Sequence, residues 1–279
     1  MSKPTQKTRN ARLKWLLSEV GQNIAKVLFL TSTFQACGDS GFQAIEERKL
    51  VVATDATLIP MSFIDDSGKI SGFEPDLVYA LAKEVGVKLE LVNVEWAGIF
   101  GGLLTNKFDA AVSSITILEE RKKKMAFSVP YLKSGVVLVV RKDMEEVNSL
   151  NEAKNKDLVI AAQVGTTAYF LLEKDPGIRR KGYQQYGHAI TDLIKGEVDA
   201  VAGESTGTLY YKANEAKLFQ KIKIAGEIIT EEHYGIALRK NDVKLVASIN
   251  SALQTLLENG TIQRLHDKWK LGRAASLPN

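Results

Sequence analysis

The sequence predicts an α/β protein of two lobes with similar architecture, each a mostly parallel sheet flanked by helices. Short apolar strands alternate with amphipathic helices from Lys49 onward, and a helix-to-strand segment of the first half recurs in the second. The 279 residues are 45% hydrophobic and 25% charged, which is an ordinary globular composition. This length provides enough apolar surface for one large domain or two modest ones.

The first half carries a strand–helix–strand pattern. Strands are predicted over residues 50–54, 87–94 and 108–112, with helices over 72–86 and 99–104. Pro75 in the first turn and the acidic residues beside it favour the start of the first helix, and Gly86 favours its left-handed end. Because strands and helices alternate, we expect parallel strands joined by right-handed crossovers.

The second half repeats this pattern. Strands are predicted over residues 157–162 and 198–202, and helices over 166–173 and 190–195. Residues 103–110 align with residues 193–200, and each segment is a helix end, a tight turn and a strand that begins with Asp-Ala. The alignment predicts two lobes of similar architecture. Coincidence between two generic helix-to-strand joins is the alternative.

This alignment places two polar sites at equivalent positions. Ser114 lies five residues after Asp109, and Glu204 lies five residues after Asp199. Open α/β sheets bind ligands beyond the carboxyl ends of their parallel strands. Hydroxyl groups near Ser114, together with the planar fork of Arg121, suit a carboxylate. If the two lobes face each other, Glu204 lies opposite and suits an ammonium group.

Charge and residue counts exclude several function classes. The net charge is +4, but the basic residues are concentrated before Cys37, so the body is nearly neutral and nucleic acid is not expected as a partner. Cys37 is the only cysteine, which excludes a disulfide within the chain. The three histidines are scattered, and no zinc, phosphate-loop or Ser/His/Asp motif is present. We therefore expect no metal and no cofactor.

Residues 1–37 have the pattern of an export leader. A basic region, a short apolar run after Lys26 and a small residue before Cys37 resemble a bacterial lipoprotein signal, in which the cysteine carries the lipid. The apolar run is too short to span a bilayer as a stable helix. Residues 38–48 are mostly small and polar, which predicts a tether. The alternative is a Cys37 that is buried or idle in an amphipathic N-terminal helix.

A series of motifs along the body carries a family resemblance. In chain order they are Thr54-Asp55, Pro60, Gly72-Phe73-Glu74-Pro75-Asp76-Leu77, Trp96, Phe108-Asp109-Ala110, Ser114-Ile115-Thr116, Glu120-Arg121-Lys122, Phe127-Ser128-Val129-Pro130-Tyr131, Gly165-Thr166-Thr167, Gly196-Glu197-Val198-Asp199-Ala200, Tyr234-Gly235-Ile236-Ala237-Leu238, Ile249-Asn250 and Lys268-Trp269. Their order and spacing resemble the type II periplasmic solute-binding proteins of polar amino-acid ABC transporters, solute-binding family 3.

The resemblance implies the periplasmic-binding-protein fold, in which the chain crosses twice between lobes that close like a hinge. Lobe 1 is then discontinuous, over residues 49–133 and 238–279, and lobe 2 covers residues 137–231. The crossings fall near residues 132–137 and 231–238.

The resemblance also implies ligand-binding roles. The donors to an α-carboxylate are Arg121, Ser114 and Thr116 from lobe 1, with Thr166 and Thr167 from lobe 2. Glu204 accepts the α-ammonium group. Read alone, Arg121 beside Lys122–Lys124 is also compatible with a solvated helix face, Thr166 with a simple helix cap, and Glu204 with an exposed loop acid.

At the side-chain end of the ligand, the resemblance assigns stacking to Trp96, a polar or cationic contact to Asp55 and a lining position to Gln163. Leu58 stands where relatives often carry a second aromatic residue. Trp96 is also compatible with a core position, and Asp55 with a turn after a strand. The predicted pocket is polar and mildly acidic, which favours a basic or amide-bearing amino acid.

The function that follows is that of an extracytoplasmic binding protein, not an enzyme. We expect a monomer that delivers a polar L-amino acid to the permease subunits of an ABC importer. Its contact with the membrane is expected only through these subunits or through a lipid anchor. One alternative is an enzyme that resembles cyclohexadienyl dehydratases, with Glu204 as a general acid. A second is a ligand-sensing module for a separate receptor.

Overall fold

A computed structural model of the protein describes residues 49–208, 220–272 and 275–278. Cys37, the predicted leader 1–37 and the predicted tether 38–48 lie outside these residues. Within the described ranges, no helix combines the length and the apolar character needed to cross a bilayer.

Strands and helices alternate along the described chain. The strands are β1 (Leu50–Thr54), β2 (Thr57–Leu58), β3 (Ser62–Ile64), β4 (Ile70–Ser71), β5 (Leu89–Asn93), β6 (Ala110–Ala111), β7 (Ala126–Phe127), β8 (Leu132–Ser134), β9 (Val136–Arg141), β10 (Val159–Gln163), β11 (Arg179–Tyr183), β12 (Ala200–Glu204), β13 (Ile222–Ala225), β14 (Glu232–Tyr234) and β15 (Ala237–Leu238). The helices are α1 (Phe73–Val85), α2 (Trp96–Leu104), α3 (Glu119–Lys122), α4 (Leu150–Asn155), α5 (Thr167–Glu173), α6 (Tyr186–Lys195), α7 (Val243–Glu258) and α8 (Thr261–Lys268). Residues 205–208 are also helical.

Two five-stranded sheets form the centres of the two lobes. The sheet of the first lobe has the order β5-β1-β6-β15-β7, and that of the second lobe has the order β11-β10-β12-β9-β13. In each sheet the first three strands run parallel and the last two pair antiparallel to their neighbours. The predicted two-lobed α/β fold is confirmed.

Helices cover both faces of each sheet. In the first lobe, α1, α7 and α8 pack Leu77, Leu253 and Ile262 on one face, while α2 packs on the other. In the second lobe, α4 and α5 cover one face and α6 packs Leu193 on the other. Each sheet is therefore buried on both sides, as expected for parallel strands.

Two adjacent segments connect the lobes. β8 pairs antiparallel with β14 as a separate two-stranded ladder. β8 leads directly into β9 of the second sheet, and β14 leads into β15 of the first sheet. Tyr131 and Tyr234, beside and within this ladder, are both fully buried. The connection between the lobes is thus a narrow strand pair with a packed aromatic centre.

Several predicted boundaries were wrong by a few residues. The second helix begins at Trp96 rather than residue 99, because the carboxylate of Asp55 accepts the N–H of Trp96. The strand predicted over 87–94 begins at Leu89, since the N–H of Val87 still bonds to the carbonyl of Ala82 at the end of α1. The strand predicted over 108–112 is reduced to Ala110–Ala111, the positions that pair with a strand on each side.

Gly72 is needed at the start of α1. Its φ of 138° lies in the left-handed region, and a Cβ there would lie 2.5 Å from the carbonyl oxygen of Met61. The N–H groups of Phe73 and Glu74 donate to the carbonyls of Pro60 and Met61, which replace a side-chain cap.

The aligned segments 103–110 and 193–200 have the same structure. In the first lobe, Oδ2 of Asp109 accepts the N–H of Val51 at 3.1 Å, and Arg239 donates to Oδ1 at 3.1 Å. In the second lobe, Oδ2 of Asp199 accepts the N–H of Val159 at 2.9 Å, and Arg141 donates to Oδ1 at 3.5 Å. This correspondence confirms the repeat, because the same Asp–Arg arrangement ties the same strands in both lobes.

These pairs predict a difference in stability between two matched variants. We expect Asp109→Ala to lower the free energy of unfolding by about 2 kcal/mol, because the N–H of Val51 loses its acceptor and Arg239 loses one of its two carboxylate partners. Asp199→Ala should cost about 1 kcal/mol, since its side chain is 31% exposed against 13% for Asp109. Urea denaturation measures both values, and equal losses would contradict the burial argument.

Candidate functional site

A cleft lies between the lobes, at the carboxyl ends of β1, β6, β10 and β12. Its lining includes all of the predicted ligand-binding residues: Asp55, Trp96, Ser114, Thr116, Arg121, Gln163, Thr166, Thr167 and Glu204. Thr57, Leu58 and Ser113 complete the lining. Among the described residues, no group of three or more His, Cys, Asp or Glu side chains is arranged to hold a metal ion.

The guanidinium of Arg121 is held inside the cleft rather than on a solvated face. Nη1 donates to the carbonyl of Thr116 at 2.9 Å, and Nη2 donates to the carbonyl of Gly165, in the second lobe, at 3.1 Å. The guanidinium carbon lies 5.5 Å from the ring centre of Trp96 and 5.0 Å from that of Phe100. Lys122–Lys124, which follow it in the chain, are exposed.

Burial lowers the pKa of Arg121 to about 10, while the charges of Glu204 and Glu232 act in the opposite direction. The guanidinium therefore remains charged at neutral pH. Its contacts to Thr116 and Gly165 leave further N–H groups of the fork for a ligand. Arg121 thus offers a cation and hydrogen-bond donors at a site shielded from water.

Ser114 donates to a buried carboxylate. Its N–H lies 2.6 Å and its hydroxyl 3.3 Å from Oε1 of Glu74, which also accepts from the phenol of Tyr131 at 2.5 Å. Ser114 has a φ of 48°, in the left-handed region. Oε2 of Glu74 is buried without a hydrogen-bond partner. Burial raises the pKa of Glu74 to about 7, so much of this side chain is neutral at neutral pH.

A second buried carboxylate holds the two threonine hydroxyls. Oε2 of Glu232 accepts from Thr116 at 2.6 Å and from Thr167 at 2.9 Å, and Oε1 accepts from Thr230 at 2.9 Å. Thr116 belongs to the first lobe and Thr167 begins α5 in the second. Each hydroxyl has one proton to donate. These protons are directed to Glu232 rather than into the cleft.

The donors left for a carboxylate are therefore mainly Arg121 and backbone N–H groups. Thr116 and Tyr234 pair in an isolated antiparallel bridge. The two hydrogen bonds of this bridge are donated by the N–H groups of Ile117 and Gly235. The N–H of Thr116 lies outside this pairing and is left for a ligand. Thr166 caps α5, because its hydroxyl accepts the N–H of Tyr169 and donates to the carbonyl of Gln163.

Glu204 ends β12 on the opposite wall. Its carboxyl accepts a hydrogen bond from the phenol of Tyr234. Burial, followed by the neighbouring charge of Glu232, raises the pKa of Glu204 to about 8, although Tyr234 and Arg121 favour the charged form. Without a ligand, Glu204 is therefore largely protonated at neutral pH. A cation placed beside it would favour the carboxylate.

The other predicted residues combine a structural contact with a place in the lining. Oδ2 of Asp55 accepts the N–H of Trp96 at 2.9 Å, and burial is the largest cause of its raised pKa. Trp96, the first residue of α2, packs in the core and also lines the cleft. Gln163 donates from Nε2 to the carbonyl of Gln184 at 2.9 Å. Asp55 therefore acts in the turn after β1 and still faces the cleft.

Sequence reasoning did not predict Glu74 and Glu232 as part of the site. It assigned the acids of the first turn of α1 to the helix dipole. Glu74, however, precedes Leu77, Val78 and Leu81 at helical spacing, which places it on the buried face. Glu232 lies two residues before the buried Tyr234, so the two share one face of β14. These periodicities in the sequence could have indicated that both glutamates are buried.

Comparisons with known proteins identify similar chains. The family described as bacterial extracellular solute-binding proteins, family 3, matches residues 50–272. The L-cystine-binding protein TcyJ of Escherichia coli (strain K12) is 30% identical over 252 residues, which cover 88% of this chain and 92% of that protein. A solved structure of an ancestral arginine-binding protein bound to arginine is 36% identical, with a TM-score of 0.74 over 79% of this chain and 97% of that one.

A further solved structure is that of the ancestral amino acid-binding protein AncCDT-1, described as a precursor of cyclohexadienyl dehydratase. It is 35% identical, with a TM-score of 0.74, and the match covers 81% of this chain and 97% of that one. Each of these proteins is thus named for the binding of an amino acid.

The buried carboxyl groups predict a pH dependence of stability without ligand. The pKa of Glu204 is 4.5 when solvated and about 8 in the folded state, so the folded state binds the proton more tightly. Stability should therefore fall as pH rises from about 4.5 to about 8, by at most about 1.4 kcal/mol per pH unit for each such group. Urea denaturation between pH 5 and pH 8.5 measures this slope.

Glu204→Gln should flatten the slope, and the exposed Glu84→Gln should leave it unchanged. A Glu204→Gln variant with the wild-type slope would refute the assignment of a raised pKa to Glu204.

Proposed function

The chain belongs to the bacterial extracellular solute-binding proteins of family 3, and we propose that it closes on a polar L-amino acid and delivers it to an ABC importer. One observation carries this proposal. A single cleft brings the partly buried cation of Arg121 from one lobe and the carboxyl of Glu204 from the other to the same site. This pair of opposite charges matches the two ends of an α-amino acid.

In the proposed complex, the α-carboxylate pairs with Arg121 and accepts the N–H of Thr116. The α-ammonium lies against Glu204, where its charge favours release of the proton that the carboxyl holds without ligand. Closure of the lobes removes water from these contacts and strengthens them, because the effective dielectric constant falls. Ser114, Thr166 and Thr167 shape this end of the cleft.

The side chain of the ligand would point toward Asp55, Trp96, Leu58 and Gln163. Asp55 provides an acceptor, Trp96 a flat apolar surface and Gln163 an amide. We therefore propose a basic or amide-bearing amino acid as the ligand. The names of the relatives support this class in part, since one is named for arginine and another for L-cystine.

We assign residues 49–133 and 238–279 to lobe 1 and residues 137–231 to lobe 2. The protein would act outside the cytoplasm as a monomer, with residues 1–37 as its leader and 38–48 as its tether. Lipidation of Cys37 would hold it at the membrane beside the permease subunits. The membrane contact is then limited to the lipid and the permease.

Substitution of Arg121 tests the proposed site. A thermal-shift screen of the amino acids first identifies the ligand, because binding to the native state raises its melting temperature. We expect Arg121→Ala to lose several kcal/mol of binding free energy, since the α-carboxylate of the enclosed ligand loses its guanidinium partner. Calorimetry measures this loss, and Lys124→Ala, an exposed neighbour, should retain the wild-type affinity. Wild-type affinity in Arg121→Ala would refute the assignment.

An enzyme on the same scaffold is the second candidate, favoured by the raised pKa of Glu204 and the likeness to AncCDT-1. A general acid would need such a pKa. We expect no product when the protein is incubated with prephenate or arogenate, because Glu204 has a binding role opposite Arg121. Chromatographic detection of phenylpyruvate or phenylalanine, absent with Glu204→Gln, would establish the enzyme instead.

A further inference from the structure

We propose that Glu232 is a positioning residue that fastens the two lobes together in the closed form. One oxygen of its carboxylate, Oε2, accepts hydrogen bonds from Thr116 on the first lobe and Thr167 on the second, at 2.6 and 2.9 Å. Glu232 lies on β14, in the strand pair that connects the lobes. The proposal rests on the proposed function and adds a residue that does not line the cleft.

The position of Glu232 suits this role. β14 is one of the two segments between the lobes, so the carboxylate keeps its place near the axis about which the lobes turn. Thr230 donates to Oε1 at 2.9 Å and holds the other side of the carboxylate. Opening the cleft would move Thr167 away from Thr116, and one oxygen could not accept from both hydroxyls. The paired bonds therefore exist only when the lobes are closed.

The charge of Glu232 also matches its surroundings. Glu232 is 5% exposed, and its charge acts on the partly buried guanidinium of Arg121. Closure removes Arg121 from water, which is costly unless an anion lies nearby. Glu232 supplies that anion in the closed form whether or not a ligand carboxylate is present. It thus favours closure through hydrogen bonds and through charge.

Glu232 further orients the donors that a ligand would meet. By binding the hydroxyl of Thr116, it fixes this residue with its N–H outside the bridge to Tyr234. By binding the hydroxyl of Thr167, it fixes the first residue of α5 against the first lobe. The residue acts through these threonines and does not itself contact the ligand.

Distance measurements by pulsed EPR test the proposal. Spin labels replace Lys107 and Glu197, exposed residues at equivalent turns of the two lobes, in a Cys37→Ser background. Distances are recorded without ligand and with L-arginine as the probe. We expect Glu232→Ala and Thr167→Val each to reduce the ratio of closed to open protein about tenfold, because each removes a hydrogen bond to a charged group.

The double variant and two controls separate the mechanism from a general loss of stability. Glu232→Ala with Thr167→Val should open the protein no more than Glu232→Ala alone, since both remove the same contact. Glu232→Gln should fall between wild type and Glu232→Ala, because its oxygen can still accept from both threonines and its NH₂ can donate to Thr230, while the charge that faces Arg121 is lost. Thr191→Val, the same substitution on the exposed face of α6, should have no effect.

Three results would overturn the proposal: Thr167→Val distances that match wild type with and without L-arginine, additive effects in the double variant, or opening by Glu232→Gln as large as by Glu232→Ala. A lower melting temperature with an unchanged closed-to-open ratio would assign Glu232 a purely structural role. Failure of the wild type to bind any amino acid would refute the proposed function, and the ligand-free distances would still test Glu232.

Discussion

Burial of the guanidinium of Arg121 between the lobes is the interaction on which the site depends. A charge taken out of water needs compensation, and the structure provides it in several forms. The carbonyl groups of Thr116 and Gly165 accept hydrogen bonds from the guanidinium, aromatic rings lie beside it, and the negative charge of Glu232 favours its charged form. A ligand carboxylate would join an arrangement that is already nearly balanced.

The sequence predicted the composition of the cleft better than its internal contacts. Parallel strands end at one edge of a sheet, so Ser114 and Glu204 could be placed together from their positions after strands, while Asp55 was assigned to the site by the family resemblance. The repeated Asp-Ala segments allowed the two lobes to be aligned by residue spacing. The positions of Ser114 and Glu204 follow from residue spacing, whereas the other residues of the cleft were assigned by the resemblance to the family.

The partners of the hydroxyl groups could not be predicted in this way. Ser114 bonds to a carboxylate 40 residues earlier, and Thr116 bonds to one 116 residues later. No local pattern connects such distant residues. For Asp55, Trp96 and Thr166, a structural role and a place in the binding site were treated as alternatives. In the structure each of the three stabilises a helix or the core and also lines the cleft. One residue can therefore stabilise the fold through some of its atoms and line the cleft with others.

The strand order of the first sheet has a consequence for the biosynthesis of the protein. β15 (Ala237–Leu238) lies between β6 and β7, and Arg239 directly after it bonds to Asp109. β7 therefore has no neighbour in its sheet until residue 238 has left the ribosome or crossed a membrane. The strands of the second sheet all lie within residues 136–225 and are complete earlier. During vectorial emergence from the amino terminus, the second lobe can thus assemble first, while the first lobe waits for the last part of the chain.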